Sequence, residues 1–280
     1  MIEYVIRGLI NGAVYGILAL PMSLLFATAG TVDFAIGAYA LIAAAVATSV
    51  AGTLGLVAGV LSALLASAVM AGIFALLKRS GEEGIRVALA SFGLSVAIAS
   101  IVLLIWGTQP FVRPTFSRML EIGGLRINPQ GLINVAISVG LVALTYYLLR
   151  ATSLGRMMRA AAANPVGAEL AAIPVLGVQC GTILAGGLLG GLAGLLILHS
   201  AGLDFTASLS LTFIGFAAAI IFGIQTPLRS LFGGLAMGVV EALSAGFTSG
   251  MVTSMIPSAF MLVVLMTGLL GSNRFAGDRP

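Results

Sequence analysis

Residues 175–198 read VLGVQCGTILAGGLLGGLAGLLIL, a run without a single charge. A helix needs roughly 20 apolar residues to cross the ~30 Å hydrocarbon layer of a bilayer. This run is long enough, and it is apolar on every face, so its surroundings must be lipid or other apolar helices. Gly186, Gly190 and Gly194 form a stripe at four-residue spacing, the pattern through which membrane helices pack closely. Cys180 is the only cysteine and lies inside the run. It can form no intramolecular disulfide and reads as a buried structural thiol.

Similar runs recur to either side. The segments are 5–28, 31–51, 54–77, 86–106, 131–149, 175–198, 203–224, 231–249 and 255–271. The whole chain is 60% hydrophobic and only 8% charged, against roughly 25% charged residues in soluble domains. Its 37 glycines among 280 residues suit helices packed through small side chains. The expected fold is therefore all-α: a polytopic transmembrane helix bundle of about eight to nine spans, one domain over residues 1–280. The pair 203–224 and 231–249 is joined by a short turn, so either member is spanning or re-entrant. The start, MIEYVIRGLI, carries Glu3 and no small-residue cleavage site, so no cleaved signal peptide is expected.

In such a protein a net charge of +4 reports orientation and gives no ground for nucleic-acid binding. With nine spans and the N-terminus outside, Lys78, Arg79, Arg86, Arg150, Arg156, Arg159, Arg229, Arg274 and Arg279 fall inside. Arg7, Arg113, Arg118 and Arg126 fall outside. This is the positive-inside asymmetry, with the arginines of the outer stretch 107–130 working against it. Self-comparison adds a second pattern: Gly30-Thr31-Val32-Asp33-Phe34 resembles Gly202-Leu203-Asp204-Phe205. Segments 1–4 and 6–9 then read as repeats, and an offset of five segments makes them inverted, a recurring transporter design.

Four acids invite a role: Asp33, Asp204, Glu241 and Glu169. A carboxylate at the centre of a membrane helix costs about 2.5–3.5 kcal/mol, so it usually faces the bundle interior. Asp33 reads either as an N-cap or as part of a pore-lining helix break, and the two are compatible. Glu241 shares a helical face with Gly234 and Gly238, which places it at a helix contact as a structural group or a solute contact. His199 has no companions for a metal site. Trp106, Tyr146 and Tyr147 sit at segment ends, as aromatic belts do. The sequence shows no G-x-x-x-x-G-K-[ST] phosphate loop, so ATP hydrolysis by this chain alone is not expected. No H-E-x-x-H, G-x-S-x-G or Cys/His cluster points to an enzyme either, which leaves transport.

One interruption is longer than a connector needs to be: residues 153–177, SLGRMMRAAAANPVGAELAAIPVLG. It is polar, basic and Ala-rich, and Asn164-Pro165 divides it into two short helices, since Pro tolerates a helix start but not an interior. Its S-x-G-R-x-x-R-A-x-A-x-N run resembles the cytoplasmic loop of permeases from ABC importers of the branched-chain amino acid type. Glu169-Leu170-Ala171-Ala172 with Gly177 resembles a loose form of the motif by which ABC permeases dock on their ATPase. Near the N-terminus, Asn11-Gly12 and then Gly30-Thr31-Val32-Asp33-Phe34-Ala35-x-Gly37 resemble the family's G-x-[IV]-[ND]-F-[AS]-x-G signature. Toward the end, Phe232-Gly233-Gly234-Leu235-x-x-Gly238-Val239-Val240-Glu241 resembles its G-G-x-x-x-G-x-x-E stretch. The likeness departs at Ile36 and Ala38, where many relatives carry His and Glu, in the turn Phe222–Ser230, and around Leu211–Phe213, where a common basic residue is missing.

The resemblance implies one permease subunit of an ATP-driven importer in a bacterial or archaeal inner membrane. It implies a second permease, related or identical, two cytoplasmic ATP-binding subunits and an extracytoplasmic solute-binding protein. ATP and Mg would be used by the ATPase partners, with no cofactor on this chain. Branched-chain or other hydrophobic amino acids, or related small carboxylate or amide solutes, would be the cargo. Asp33, Phe34, Gly37, Asp204, Phe205 and Glu241 would border the substrate pathway. Gly155, Arg156, Met157, Arg159, Ala160, Asn164, Glu169 and Gly177 would couple to the ATPase through the loop at 150–174. The alternative is a self-contained secondary transporter driven by an ion gradient, with Asp33 and Asp204 as coupling acids.

Overall fold

The computed structural model describes residues 2–80, 84–113, 120–122, 125–224 and 227–247, together with Ala259, Phe260, Leu262, Val263 and Met266. The chain forms α1 (Ile2–Ala29), α2 (Ile36–Ser49), α3 (Gly52–Arg79) and α4 (Gly84–Trp106), then a small hairpin, β1 (Leu120–Ile122) and β2 (Leu125–Ile127). There follow α5 (Pro129–Ala151), α6 (Ser153–Ala163), α7 (Pro165–Leu170), α8 (Val175–Ser200), α9 (Ala207–Ile221), a 3-10 turn Pro227–Arg229 and α10 (Ser230–Phe247). The hairpin pairs Leu120 with Ile127 and Ile122 with Leu125. It occupies the outer stretch that the sequence left without structure.

Among the described residues six helices, α1, α3, α4, α5, α8 and α10, are long and apolar enough to cross a membrane. The segments 31–51 and 203–224 give less than full spans. Gly30 (φ 68°) and Gly202 (φ 82°) end the preceding helices in the left-handed region, where glycine is favoured. Helix resumes only at Ile36 and Ala207, leaving α2 with 14 residues and α9 with 15. At 1.5 Å per residue these reach about 21–23 Å, short of the ~30 Å core. The last segment, 255–271, falls outside the described residues apart from the five named above.

Helices α1, α2, α8 and α9 make up the interior, and Ile17, Leu18, Tyr39, Ala40 and Leu198 are completely enclosed. Around them α3, α4 and α5 turn apolar faces outward, with Leu104 84% exposed, as lipid contact requires. The glycine stripe of α8 does what its spacing implies. A Cβ on Gly194 would stand 2.1 Å from the Ala40 carbonyl of α2, and one on Gly190 would stand 3.0 Å from the Ile36 carbonyl; on the neighbouring face, one on Gly187 would meet Ser67 of α3. The most extensive seam joins α1 to α10, where a Cβ on Gly238 would lie 2.2 Å from the Gly8 carbonyl. Main chains in such contact trade side-chain bulk for dispersion contacts over the whole seam.

The ends of the bundle sort by charge. Lys78 and Arg79 close α3, Arg86 opens α4, Arg150 closes α5, and Arg156 and Arg159 lie on α6. The end of α1 joins them: Gln179 of α8 donates to the Thr28 carbonyl at 2.8 Å, and Thr31 donates to the Gly84 carbonyl at 2.9 Å. At the opposite end Trp106 donates to Ser49 at 2.8 Å, Arg113 donates to the Ala47 carbonyl at 3.0 Å, and Phe111 bridges to Leu203. The basic end is the one that the positive-inside rule assigns to the cytoplasm.

Arg229 belongs to neither end. Ser23 of α1 donates to the Ile224 carbonyl, and a Cβ on Gly16 would meet Leu231. Ile224 and Leu231, which flank the turn between α9 and α10, are therefore level with Ser23 and Gly16. Those levels are about 9–20 Å above the basic end of α1 at 1.5 Å per residue. Arg229, which the sequence placed in an inner loop, directly precedes α10 at the Gly16 level and stands back from the basic end.

Candidate functional site

The two short helices meet start to start. After Gly30, Asp33 turns the chain into α2: its Oδ1 accepts from the Ala35 amide at 2.8 Å and its Oδ2 accepts from the Tyr39 hydroxyl at 3.0 Å. After Gly202, Asp204 does the same for α9, its Oδ1 accepting from the Thr206 amide at 2.8 Å and from the Thr206 hydroxyl. The matched stretches thus fold alike, each a left-handed glycine followed by an Asp whose carboxylate accepts from the amide two residues on, in an Asx turn just ahead of the helix. The N-cap positions themselves are Ala35 and Thr206, so Asp33 is not the N-cap that the sequence suggested.

Thr212 of α9 ties the starts together. Its hydroxyl accepts from the Gly37 amide at 3.1 Å and lies 3.2 Å from the Phe34 carbonyl and 2.9 Å from its own Ser208 carbonyl. Ser208 meets Ser95 of α4 at 2.9 Å, and the Phe34 amide donates to Ser91 at 2.9 Å. Phe34 packs on Phe216 with ring centroids 5.6 Å apart, and Phe205 packs against the same core. The heart of the crossing is polar and buried: Ser91, Ser95, Ser208 and Thr212 are each 0% exposed. The sequence reading missed these four residues. Their signal was there, as pairs of small hydroxyls four apart (Ser91/Ser95 and Ser208/Thr212) in otherwise apolar helices.

Asp33 is sealed in this crossing, whereas Asp204 is half-buried at its outer edge. Glu241 lies elsewhere, on α10 beside Tyr15 of α1, and its Oε2 is buried without a hydrogen-bond partner among the described residues. The structure thus gathers Asp33, Phe34 and Gly37 into one site and leaves Glu241 on the α1–α10 seam. Among the described residues no three His, Cys, Asp or Glu side chains come together as metal ligands would.

Both bonds of Asp33 are acceptor bonds, so an amide can replace most of its work. Asp33→Asn is expected to reach the membrane at close to the normal level and to keep its uptake within about twofold, since Asn forms the same turn. Asp33→Leu leaves the Ala35 amide and the Tyr39 hydroxyl unpaired, at about 1–3 kcal/mol each, and is expected to accumulate poorly. Immunoblots of membranes beside solute uptake check both. An Asn variant present in full but inactive would show that the charge itself acts on the solute.

The second group of residues forms an elbow at the basic end of the bundle. Thr152 caps α6 by accepting from the Gly155 amide, and Gly155 is obligatory because a Cβ there would lie 2.1 Å from the Leu149 carbonyl. Asn164 caps α7, accepting from the Gly167 amide at 3.0 Å, with Pro165 at the first helical position. Met157, Ala160 and Ile173 pack on a small core of Ala161, Ala168, Val175 and Val178. Arg159 reaches back to the Leu149 carbonyl. Arg156, Glu169 and Gly177 are exposed, and so are three apolar side chains: Leu154, Val166 and, at 86%, Leu170.

A family model described as "Branched-chain amino acid transport system / permease component" matches residues 4–265. The chain belongs to this family. It is a permease of an ABC importer and a multi-pass protein of the inner membrane. The chain is similar to LivH of Escherichia coli K12, a permease protein of a high-affinity branched-chain amino acid transport system, with 24% identity over 96% of this chain and 95% of LivH. BraD of Pseudomonas aeruginosa, named for the same kind of system, is 24% identical over the same shares. The guanosine ABC transporter permease NupQ of Bacillus subtilis is 27% identical over 48% of this chain and 45% of its own length. No solved structure matches this permease.

Proposed function

We propose that this permease carries branched-chain or other hydrophobic amino acids, or related small carboxylate or amide solutes, into the cell. It works as half of a transmembrane pathway, paired with a second permease. Two cytoplasmic ATPases supply the energy by binding ATP and Mg, and an extracytoplasmic binding protein delivers the solute. The observation that carries this reading is the elbow: α6 and α7 are capped and packed into a rigid unit that presents Val166 and Leu170, 68% and 86% exposed, outside the membrane. Apolar side chains held out from a polar, basic surface are what an ATPase groove would bury. An ion-gradient transporter working alone has no use for them.

Asp33, Phe34, Gly37, Asp204 and Phe205 border the pathway at the α2–α9 crossing, and Glu241 borders it from α10. The pattern of helix packing supports inverted repeats in which α1–α3 correspond to α8–α10. Helix α1 packs most extensively on α10 and α3 on α8, and α2 packs on α8 as α9 does on α1. Exchanging the two halves leaves those pairings unchanged. On this reading α2 and α9 are the broken members of a bundle of eight or nine segments.

Reconstitution tests the proposal. The permease pair with its ATPases and binding protein, in liposomes, is expected to accumulate labelled leucine when ATP is supplied to the cytoplasmic face, with isoleucine, valine and guanosine run as competitors. An imposed sodium or proton gradient without ATP is expected to drive nothing. Gradient-driven uptake by this chain alone would establish the self-contained transporter instead.

A further inference from the structure

We propose that Arg229 is a docking point for the carboxylate of the transported solute, in a water-filled recess that opens from the cytoplasm into the inner half of the membrane. This rests on the importer reading and names a residue of its pathway. The position of the turn is the first ground. Leu231 rests against Gly16 of α1, and Arg229, two residues before it at the start of α10, stands near that level. That is at least about 9 Å above the cytoplasmic end of α1. Long cationic side chains snorkel to the headgroups from near helix ends, and Arg229 sits deeper than that.

The second ground is that the charge is exposed and makes no hydrogen bond or ion pair among the described residues. The acids within the bundle are out of reach. Both oxygens of Asp33 are bonded within the α2 start, and Glu241 stands three helical turns up α10, about 18 Å away at 1.5 Å per residue. An exposed guanidinium at this depth faces either hydrocarbon, which the bilayer strongly disfavours, or water and an anion. Its place in the chain adds a third ground. Arg229 directly precedes the N-terminus of α10, where the helix dipole is positive and a cation is electrostatically misplaced. An incoming carboxylate relieves both, and the planar guanidinium can hold it with two parallel bonds.

The flanks of the turn suit the rest of such a solute. Phe222 is 40% exposed at the end of α9, and Phe232 is 60% exposed one turn beyond Arg229. Apolar rings beside a lone cation match a small molecule with one carboxylate and one hydrophobic side chain, so the recess would take the solute as it leaves for the cytoplasm.

The test uses the reconstituted complex in a Cys180→Ser background with leucine as probe. Arg229→Gln is expected to lower initial uptake about tenfold or more, with normal co-purification of the ATPases, while Arg229→Lys stays within about threefold. Arg229→Cys is expected to be inactive and to regain uptake when an aminoethyl thiosulfonate restores a cation. Methyl and sulfonatoethyl reagents should not rescue it. In inverted membrane vesicles an impermeant thiol reagent is expected to reach Arg229→Cys from the cytoplasmic face. Near-normal uptake by Arg229→Gln, rescue by the neutral reagent as good as by the cationic one, or no labelling from the cytoplasm would each overturn the proposal. So would a defect seen only in vesicles containing anionic lipid and lost in pure phosphatidylcholine, which would assign the arginine to a lipid headgroup. A wild-type complex that takes up no leucine under ATP fails the solute reading itself, and this inference falls with it.

Discussion

Leu170→Asp is expected to abolish co-purification of the ATPase subunits and ATP-driven uptake, while the permease still inserts and accumulates. Leu170 is the last residue of α7 and the most exposed apolar side chain of the elbow. Nothing in its own chain needs it. The Asn164 cap, Pro165 and buried Ala168 fix α7, and the Ile173 amide donates to the Ala168 carbonyl at 3.0 Å to bring the chain back toward α8. The side chain is thus presented at no cost in ordering, which is what makes an anchor effective. Anchors of this kind cost about 2–4 kcal/mol when truncated, some 30- to 1,000-fold in affinity, and an introduced carboxylate adds its own desolvation. Arg156→Ala and Glu169→Ala, exposed beside it, are expected to cost less than about 1 kcal/mol. Pull-down of tagged permease and ATPase stimulation in liposomes measure both. A Leu170→Asp variant that retained the full complex would move the ATPase contact away from α7. Ala160→Arg is a poorer probe than the sequence suggests, because Ala160 packs into the elbow and a bulky side chain there disrupts α6 itself.

Gly37→Ala is the second large effect, and it acts on folding. A Cβ at that position would stand 2.0 Å from the Ser208 carbonyl and 2.6 Å from the Thr212 hydroxyl. The first obstacle is backbone, so relief requires moving α9 away from α2, at the loss of the Gly37–Thr212 bond. Overpacking of a close-packed interior costs about 1–3 kcal/mol and sometimes more, and a main-chain clash belongs at the upper end. The variant is expected to accumulate several-fold less and to show a lower Tm in detergent. Gly72→Ala and Gly93→Ala, where an added Cβ meets nothing within 4 Å, serve as controls. They should be neutral or slightly stabilising, by up to about 1 kcal/mol, because alanine is the better helix former.

These contrasts mark what the sequence could and could not supply. The 3.6-residue period and the glycine spacing placed the seams of α8 and α10 correctly, because small residues at i and i+4 have few uses in a membrane other than close approach. The Gly-x-(Val)-Asp-Phe likeness foretold two helix breaks, since Gly and Asp act locally through φ and through side-chain turns. Hydropathy could not foretell that α2 and α9 stop short. An apolar residue reads the same whether it faces lipid or another helix, so a window of twenty counts both as spans. For the same reason Arg229 looked like an ordinary loop residue: composition does not record depth. Met157 and Ala160, expected to couple to the ATPase, are partly buried against the elbow's own small core, which the sequence did not reveal.

The crossing of α2 and α9 also has a mechanical meaning. Their closest approach lies near their starts, at Gly37 against Ser208 and Thr212, so each helix can act as a lever that pivots there. Over about 21 Å, a pivot of ~10° displaces the free end by about 4 Å, while the contact itself barely changes. The far end of α2 is held by Trp106 and Arg113 at the outer surface, and the far end of α9 runs into the turn held by Ser23. A small rotation at Thr212 is therefore magnified in opposite directions, toward the outer mouth along one arm and toward Arg229 along the other.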